Sequence, residues 1–392
     1  MRCEFCGQET PQGRFCAHCG ARLTSEAHRP AHQRRTFAFA ANPSEHVYHP
    51  SVVSTLFPHL GPARTHQLRW ILAAAAVIIF LIAFGRYVPL AIVLAALLVP
   101  ALYLWYFFAV AIYREEPLLV LAGTFVAGLV LGAALSLVLY TPLQHQSATS
   151  LLPGRGPAQG YVLLAGVVFP VLALALMLVG PVILLLTRPR FDELLDGLAF
   201  GAASGLGFAA AQSVVFSWLL IVGGFQRGGA GYSWALDILR VALLQPLLYA
   251  SAAGLVGAAL WLARDRQVSR RALGPLASPF VAVPIAVLGI VLPALLSVLS
   301  GGQVLNLLYY AIALVILLLV IRHVLHVGLV EKARALGHGG TLRCPHCGEE
   351  VGDSAFCPHC GLALRSLPPR SRPSPGTPDG AAAEGGAGGG TQ

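Results

Sequence analysis

Eight long apolar stretches limit what this chain can fold into more than any other feature. They run over about residues 68–85, 88–113, 118–140, 161–187, 195–222, 235–263, 276–300 and 304–326. About 20 helical residues cross the roughly 30 Å hydrocarbon layer of a bilayer. The expected fold is therefore an all-α polytopic membrane bundle of about eight transmembrane helices, with the lipid bilayer as its first partner. A length of 392 residues would otherwise suggest two or three soluble domains. With 56% hydrophobic and only 11% charged residues, that reading is excluded. The chain opens on a polar, cysteine-bearing segment, so no cleavable leader is expected ahead of the bundle.

Arginine placement predicts the orientation. Arg64 and Arg69 precede the first stretch, Arg114 follows the second, and Arg188 and Arg190 follow the fourth. Arg264, Arg266, Arg270 and Arg271 follow the sixth, and Arg322, Lys332 and Arg334 mark the end of the last. The alternate loops hold only Arg86, Arg155 and Arg227. The positive-inside rule then puts both termini in the cytoplasm, at the cell membrane. An even number of spans requires the same.

All eight cysteines fall into two matching sets at the two ends: Cys3, Cys6, Cys16 and Cys19, and Cys344, Cys347, Cys357 and Cys360. Each set reads C-x2-C, nine residues, C-x2-C. Two tight turns that each present two thiolates complete a tetrahedral S4 shell, the arrangement of a structural zinc site. The predicted cofactors are two structural Zn2+ ions, with iron the other metal that this spacing allows. A reducing compartment favours metal ligation over disulfides. A shift of 341 residues also superposes Gly7 on Gly348, Glu9 on Glu350, Phe15 on Phe356, His18 on His359, Gly20 on Gly361 and Leu23 on Leu364. The glycines after the second cysteines mark turns that need positive φ. Phe15 and Phe356 are the expected apolar packing of modules too small for a true core. His18 and His359 are expected at the surface rather than as further ligands.

These features divide the chain into an N-terminal zinc ribbon (1–23), a linker (24–67), a membrane domain (68–326), a second linker (327–342), a C-terminal zinc ribbon (343–364) and a disordered tail (365–392). In the first linker, Val52, Val53, Leu56, Phe57 and Leu60 form an apolar group suited to the inner leaflet surface. The net charge of +9 does not point to nucleic acid. Residues 1–69 carry eight Arg against four Glu, and residues 327–392 carry six basic and six acidic side chains. Much of the excess is juxtamembrane, where it attracts anionic lipid. The expected protein contacts are of one ribbon with the other, or of the ribbons with a partner protein.

Within the membrane domain, Gly197, Gly201 and Gly205 recur every fourth residue and share one helix face. Asp192, Glu193 and Asp196 stand at the start of that helix, where carboxylates complement its dipole. The string Asp196-Gly197, Phe200-Gly201 and Gly205-Leu206-Gly207-Phe208-Ala209 resembles a signature of the PrsW family of bacterial intramembrane proteases. Tyr113-Arg114-Glu115-Glu116-Pro117 is similar to that family's acidic-proline step. The resemblance covers roughly residues 100–260. It implies a helical membrane protease that works with glutamates, a basic residue and a histidine.

Those implied catalytic positions are not kept. Aligned on Pro170 and Gly180-Pro181, the family's adjacent glutamates and downstream cation fall at Ala173, Leu174 and Met177. Its glutamate after the Phe-Ala step falls at Gln212, and its histidine near Pro246 or Leu247. Independently of any family, the spans carry no Asp, Glu, His or Lys near mid-depth. Asp196 and Asp237 lie at helix ends, and His323 and His326 at the end of the last span. Hydrolysis in a membrane needs a general base and usually a second acid or a metal. Ser204, Ser213, Ser217 and Ser251 have no His or Lys at their depth to activate them. The remaining interior polar groups, Gln212, Gln245, Arg240, Tyr249 and Asn306, are expected to bond between helices, with Asp237 pairing Arg240.

The sequence thus predicts a PrsW-like multi-pass membrane protein that is non-proteolytic, with no catalytic residues assigned, serving as a zinc-ribbon-bearing scaffold or sensor. The alternative is an active PrsW-family protease that gathers Glu115, Glu116, Asp192, Glu193 and Asp196 at the inner membrane edge.

Overall fold

The computed structural model describes residues 2–23, 118–150, 158–187, 194–222 and 275–335 apart from Gly301. It describes residues 67–110, 236–264 and 342–364 in part. The first linker with its apolar group, the C-terminal tail, and Glu115, Glu116, Asp192, Glu193 and Asp237 lie outside the described residues.

Seven labelled helices account for the apolar stretches from the second onward. They are α1 (Val88–Val110), α2 (Leu118–Ser150), α3 (Gln159–Thr187), α4 (Leu194–Val222), α5 (Gln245–Arg264), α6 (Pro279–Ser300) and α7 (Gln303–Ala335). Ahead of them, the described residues between 67 and 82 are helical, and Ile79 packs on Ala91 and Ala95 of α1. Among the described residues, six helices, α2 to α7, are long and apolar enough to cross a membrane. The chain is a multi-pass membrane protein with an almost wholly helical fold. Two helices carry a π turn, Leu164–Val168 within α3 and Arg240–Leu244 leading into α5. The second turn falls inside the stretch read as 235–263. Helix α7 continues to Ala335, so the first part of the segment read as a linker is helical.

The bundle is built around α4 and α5, whose spans are 89% buried, whereas those of α2, α3, α6 and α7 are 22–33% buried. Their composition explains the position. The α4 face of Gly197, Gly201 and Gly205 meets α5 backbone to backbone. A Cβ at Gly197 would lie 2.5 Å from the carbonyl oxygen of Gly257, and one at Gly205 would lie 2.6 Å from that of Tyr249. Gly201 sits still closer to the Ala253 carbonyl. Such approach lets dispersion and carbonyl contacts hold helices together where lipid offers no hydrophobic drive. A second small-residue face, unanticipated from the sequence, joins α4 to α2: Gly207 abuts Phe125, while Gly128 and Gly132 abut Ser204 and Phe208. Phe200 and Trp261 close the α4–α5 seam with ring centroids 6.0 Å apart.

The two cysteine modules fold as the sequence repeat requires. In the first, residues Arg2 and Glu9 bridge, as do Phe15 and Arg22. In the second, Arg343 pairs with Glu350 in the hairpin of β1 (Leu342–Arg343) and β2 (Glu350–Val351), and Phe356 bridges Ala363. Gly7, Gly20, Gly348 and Gly361 all have φ between 71° and 80°, the left-handed turns expected behind each cysteine pair.

Candidate functional site

The two modules bring the eight cysteines into two compact groups. In each, the ligand atoms lie within 4.8 Å of one another, and these are the two groups among the described residues that could hold a metal ion. Their local scaffolding is the same bond for bond. The Cys3 amide donates to the Gln8 carbonyl at 2.9 Å and the Gly7 amide to Cys3 at 2.9 Å. Their counterparts run from Cys344 to Glu349 and from Gly348 to Cys344, both at 2.8 Å. These bonds turn the backbone so that both thiols of each knuckle face one point.

The sulfur geometry fits a tetrahedral metal. Cys3 and Cys19 Sγ are 3.7 Å apart and Cys6 and Cys16 Sγ 3.8 Å. Cys344 and Cys360 are at 3.7 Å and Cys347 and Cys357 at 3.6 Å. Metal–sulfur bonds of about 2.3 Å in a tetrahedron give sulfur–sulfur edges of about 3.8 Å. Four thiols so placed share their protons unequally. Hydrogen bonds from Cys357 and Cys360 hold the Cys344 thiol down, to about 2. Burial pushes the Cys3 thiol up, but the backbone amides of Cys6 and Phe5 outweigh it and bring it to about 7. Burial raises Cys6, Cys19 and Cys347, and the bond with Cys344 raises Cys357 and Cys360. A cation held by thiolates takes the place of those shared protons. His18 turns its Nε2 to the Glu9 carbonyl at 3.0 Å and His359 is exposed, so both stand outside the sulfur shells.

The modules also pair with each other. The Phe15 amide donates to the Pro358 carbonyl at 3.0 Å, and the Phe356 amide to the Ala17 carbonyl at 3.0 Å. Phe15 corresponds to Phe356 and Ala17 to Pro358, so these bonds are mates under a local two-fold relation. The Arg14 amide adds a bond to Pro358 at 2.8 Å. Positions 17 and 358 differ in step with their neighbours. Ala17 has an amide, satisfied at 2.9 Å by the hydroxyl of buried Thr10. Pro358 has no amide, and Val351 stands in the place of Thr10. Beyond this pair, Ala355, Phe356 and Ala363 belong to the same contiguous core as the bundle residues. The contact of ribbon with ribbon, expected from their likeness, thus joins both ends of the chain.

The interior of the bundle presents different chemistry. Ala173, Leu174 and Met177 of α3, Gln212 of α4, and Pro246 and Leu247 of α5 are all buried. They offer one amide, one thioether and four hydrocarbon side chains, with no carboxylate or imidazole. The Ser204 hydroxyl donates to the Met177 carbonyl at 2.7 Å, tying α4 to α3. Gln212 of α4 and Gln245 of α5 are buried, as is Tyr249 one turn along α5 from Gln245. Among the described residues, the Gln212 Oε1 has no hydrogen-bond partner. Arg240 stacks over the Tyr310 ring at 5.7 Å. Asp196, Arg322 and His326 are buried, with Asp196 in the first turn of α4. The Ser204–Met177 bond carried no sequence signal, since a serine in a glycine-rich helix is unremarkable.

In comparison with known families, the model of the PrsW family intramembrane metalloproteases matches residues 116–324. No curated protein and no solved structure matches the chain.

Proposed function

The chain belongs to the PrsW family, and from that membership we propose that it is a non-proteolytic member, a scaffold or sensor of the cytoplasmic membrane carrying two zinc ribbons on its inner side. The observation that carries this reading is the chemistry of the buried family positions. A hydrolytic metal needs carboxylate or imidazole ligands and a base to take a proton from water. Ala173, Leu174, Met177, Gln212, Pro246 and Leu247 supply neither. Those six positions therefore do not fit a hydrolytic metal. The close seams of α4 with α2 and α5 support the same reading, because glycine-to-carbonyl contact leaves no space between those helices for a substrate strand.

The metal chemistry of this chain belongs to the ribbons. Cys3, Cys6, Cys16 and Cys19 would hold one Zn2+, and Cys344, Cys347, Cys357 and Cys360 a second. When bound, the ion supplies folding free energy to modules too small to build a large core of their own. Both ribbons would lie in the cytoplasm, in keeping with arginine placement and with the pairing of the two ends.

The test is a cleavage assay on a model transmembrane substrate, using the purified full chain in lipid nanodiscs. No turnover is expected. Turnover that disappears with Glu115→Ala, Glu116→Ala or Asp196→Ala would reverse the conclusion and establish a protease working at the inner membrane edge.

A further inference from the structure

The two cysteine sites are built alike but embedded unlike. In the C-terminal module Cys344, Cys357 and Cys360 are buried and Cys347 is half-buried. Phe356 is fully buried, and with Ala355 and Ala363 it joins the core of the bundle. In the N-terminal module Cys6 is exposed and Cys19 half-buried, and Phe5 beside Cys6 is 77% exposed. The residue equivalent to Phe5 is His346, only 9% exposed. A competing ligand must reach a sulfur or the metal itself to exchange it. The first site offers that access at exposed Cys6, whereas its twin has no sulfur more open than half-buried Cys347.

The docking strand and the ligand strand are also the same strand. Phe15 and Ala17, which pair with the C-terminal ribbon, flank Cys16. Phe356 and Pro358, which receive them, flank Cys357. With Phe15 as its main apolar packing, the N-terminal module has little besides its metal to fix the shape of that strand.

We infer that the N-terminal cysteine set is an exchangeable metal site whose occupancy clasps the two ends of the chain together, while the C-terminal set is a permanent one that seats the clasp on the bundle. Loss of the first ion frees the segment around Cys16, and the two-fold pair comes apart. The C-terminal ribbon stays in place and presents the amide of Phe356 and the carbonyl of Pro358. The device reports metal supply at the membrane face as an open or closed connection between the chain's ends. Linkage requires the converse: docking on the C-terminal ribbon tightens the first metal site.

The inference rests on the reading that both sets hold zinc, and the experiment separates the two. The zinc-loaded full chain in nanodiscs is first assayed for metal content, and then mixed with the chromogenic chelator 4-(2-pyridylazo)resorcinol. Two zinc ions per chain are expected, leaving in two phases of one equivalent, the first at least about fivefold faster. The fast phase should vanish in Cys6→Ser. After it, hydrogen exchange should rise at the Phe15 and Phe356 amides while the Cys344 and Gly348 amides stay protected. A chain with no bound zinc overturns the zinc reading itself. Two equivalents leaving in a single phase, or a Phe356 amide that stays protected after the fast phase, overturn the clasp alone.

A second variant avoids the ligands altogether. A Cβ at Gly13 would lie 2.7 Å from both the Cβ and the carbonyl oxygen of Pro358. Gly13→Val should therefore keep two zinc ions, expose the Phe15 and Phe356 amides from the start, and speed the fast phase by about fivefold or more. An unchanged rate with the amides exposed would sever docking from metal retention and end the proposal.

Discussion

Where α4 meets α5, the chain is ordered by bare backbone: glycine faces carbonyl at distances that admit no side chain. In the ribbons the apolar clusters are small, Val351, Leu362 and Leu364 beside the C-terminal sulfurs among them, and order comes from four thiols closing on one point within 4.8 Å. The first region gains its stability from the absence of side chains and the second from their chemistry. The difference follows from solvent. In lipid, apolar side chains gain little by meeting one another, so close approach is what holds helices. In water, a module of some twenty residues buries too little apolar area to fold unaided, and a metal makes up the deficit. Substitutions should therefore act locally, each failing in one region without disturbing the other.

The largest effect is expected at the buried metal site. Cys347→Ser removes one of four ligands from the C-terminal set, and metal binding contributes on the order of 10–16 kcal/mol of apparent folding free energy to such a module. Zinc content should fall from two to one or fewer per chain, and proteolysis should nick residues 342–364. The thermal transition of the bundle, followed by intrinsic fluorescence, should persist. A bundle that unfolds along with the ribbon would erase the distinction between the two regions.

Next in size is the helix seam. Gly201→Val places branched carbons against the Ala253 carbonyl and the Gly254 backbone, neither of which can step aside. The strain should cost about 3 kcal/mol or more, read as loss of the monodisperse folded species on size exclusion. The ribbons of whatever protein remains should still carry zinc. Ser204→Ala is milder. It deletes the bond to the Met177 carbonyl, an interhelical hydrogen bond worth about 0.6–1.7 kcal/mol. Reversible unfolding in mixed micelles should resolve that difference.

The sequence displayed the parts of this molecule that are set locally. Apolar length marked the spans, cysteine spacing marked the sulfur shells, and Gly7 and Gly348 marked the turns, because each depends on neighbours within a few residues. The alternating Gly197, Gly201 and Gly205 marked one seam for the same reason. What stayed hidden depends on who sits opposite. Gly128 and Gly132 show the same four-residue spacing, but nothing in their own stretch says that Ser204 and Phe208 lie opposite. Gly207 stands off the Gly197, Gly201 and Gly205 series, yet the three together form the second seam of α4. The π turn at Arg240–Leu244 breaks a stretch that reads as one helix. In the ribbons, the unequal exposure of Phe5 and His346 depends on what surrounds each module, which two equivalent motifs cannot reveal. The exchange of Ala17 and Thr10 for Pro358 and Val351 was visible as letters. Its sense appears only once one amide is seen to need a hydroxyl and its twin to be missing.

The smallest predicted effect tests whether seam glycines act by position rather than by kind. Helix α2 carries both sorts. Gly123 is exposed, and a Cβ there meets nothing within 4 Å, whereas a Cβ at Gly128 would run into the backbone of Ser204. Alanine is the better helix former by about 1 kcal/mol. Gly123→Ala should therefore leave the bundle unchanged or stabilise it by up to about 1 kcal/mol. Gly128→Ala, the same change five residues along, should destabilise by about 1–3 kcal/mol, because the new methyl forces α2 from α4. Unfolding of the two variants in one micelle system gives the comparison directly. If both shift the same way, glycine in this helix serves its conformation and not its contact, and the second seam of α4 loses its basis.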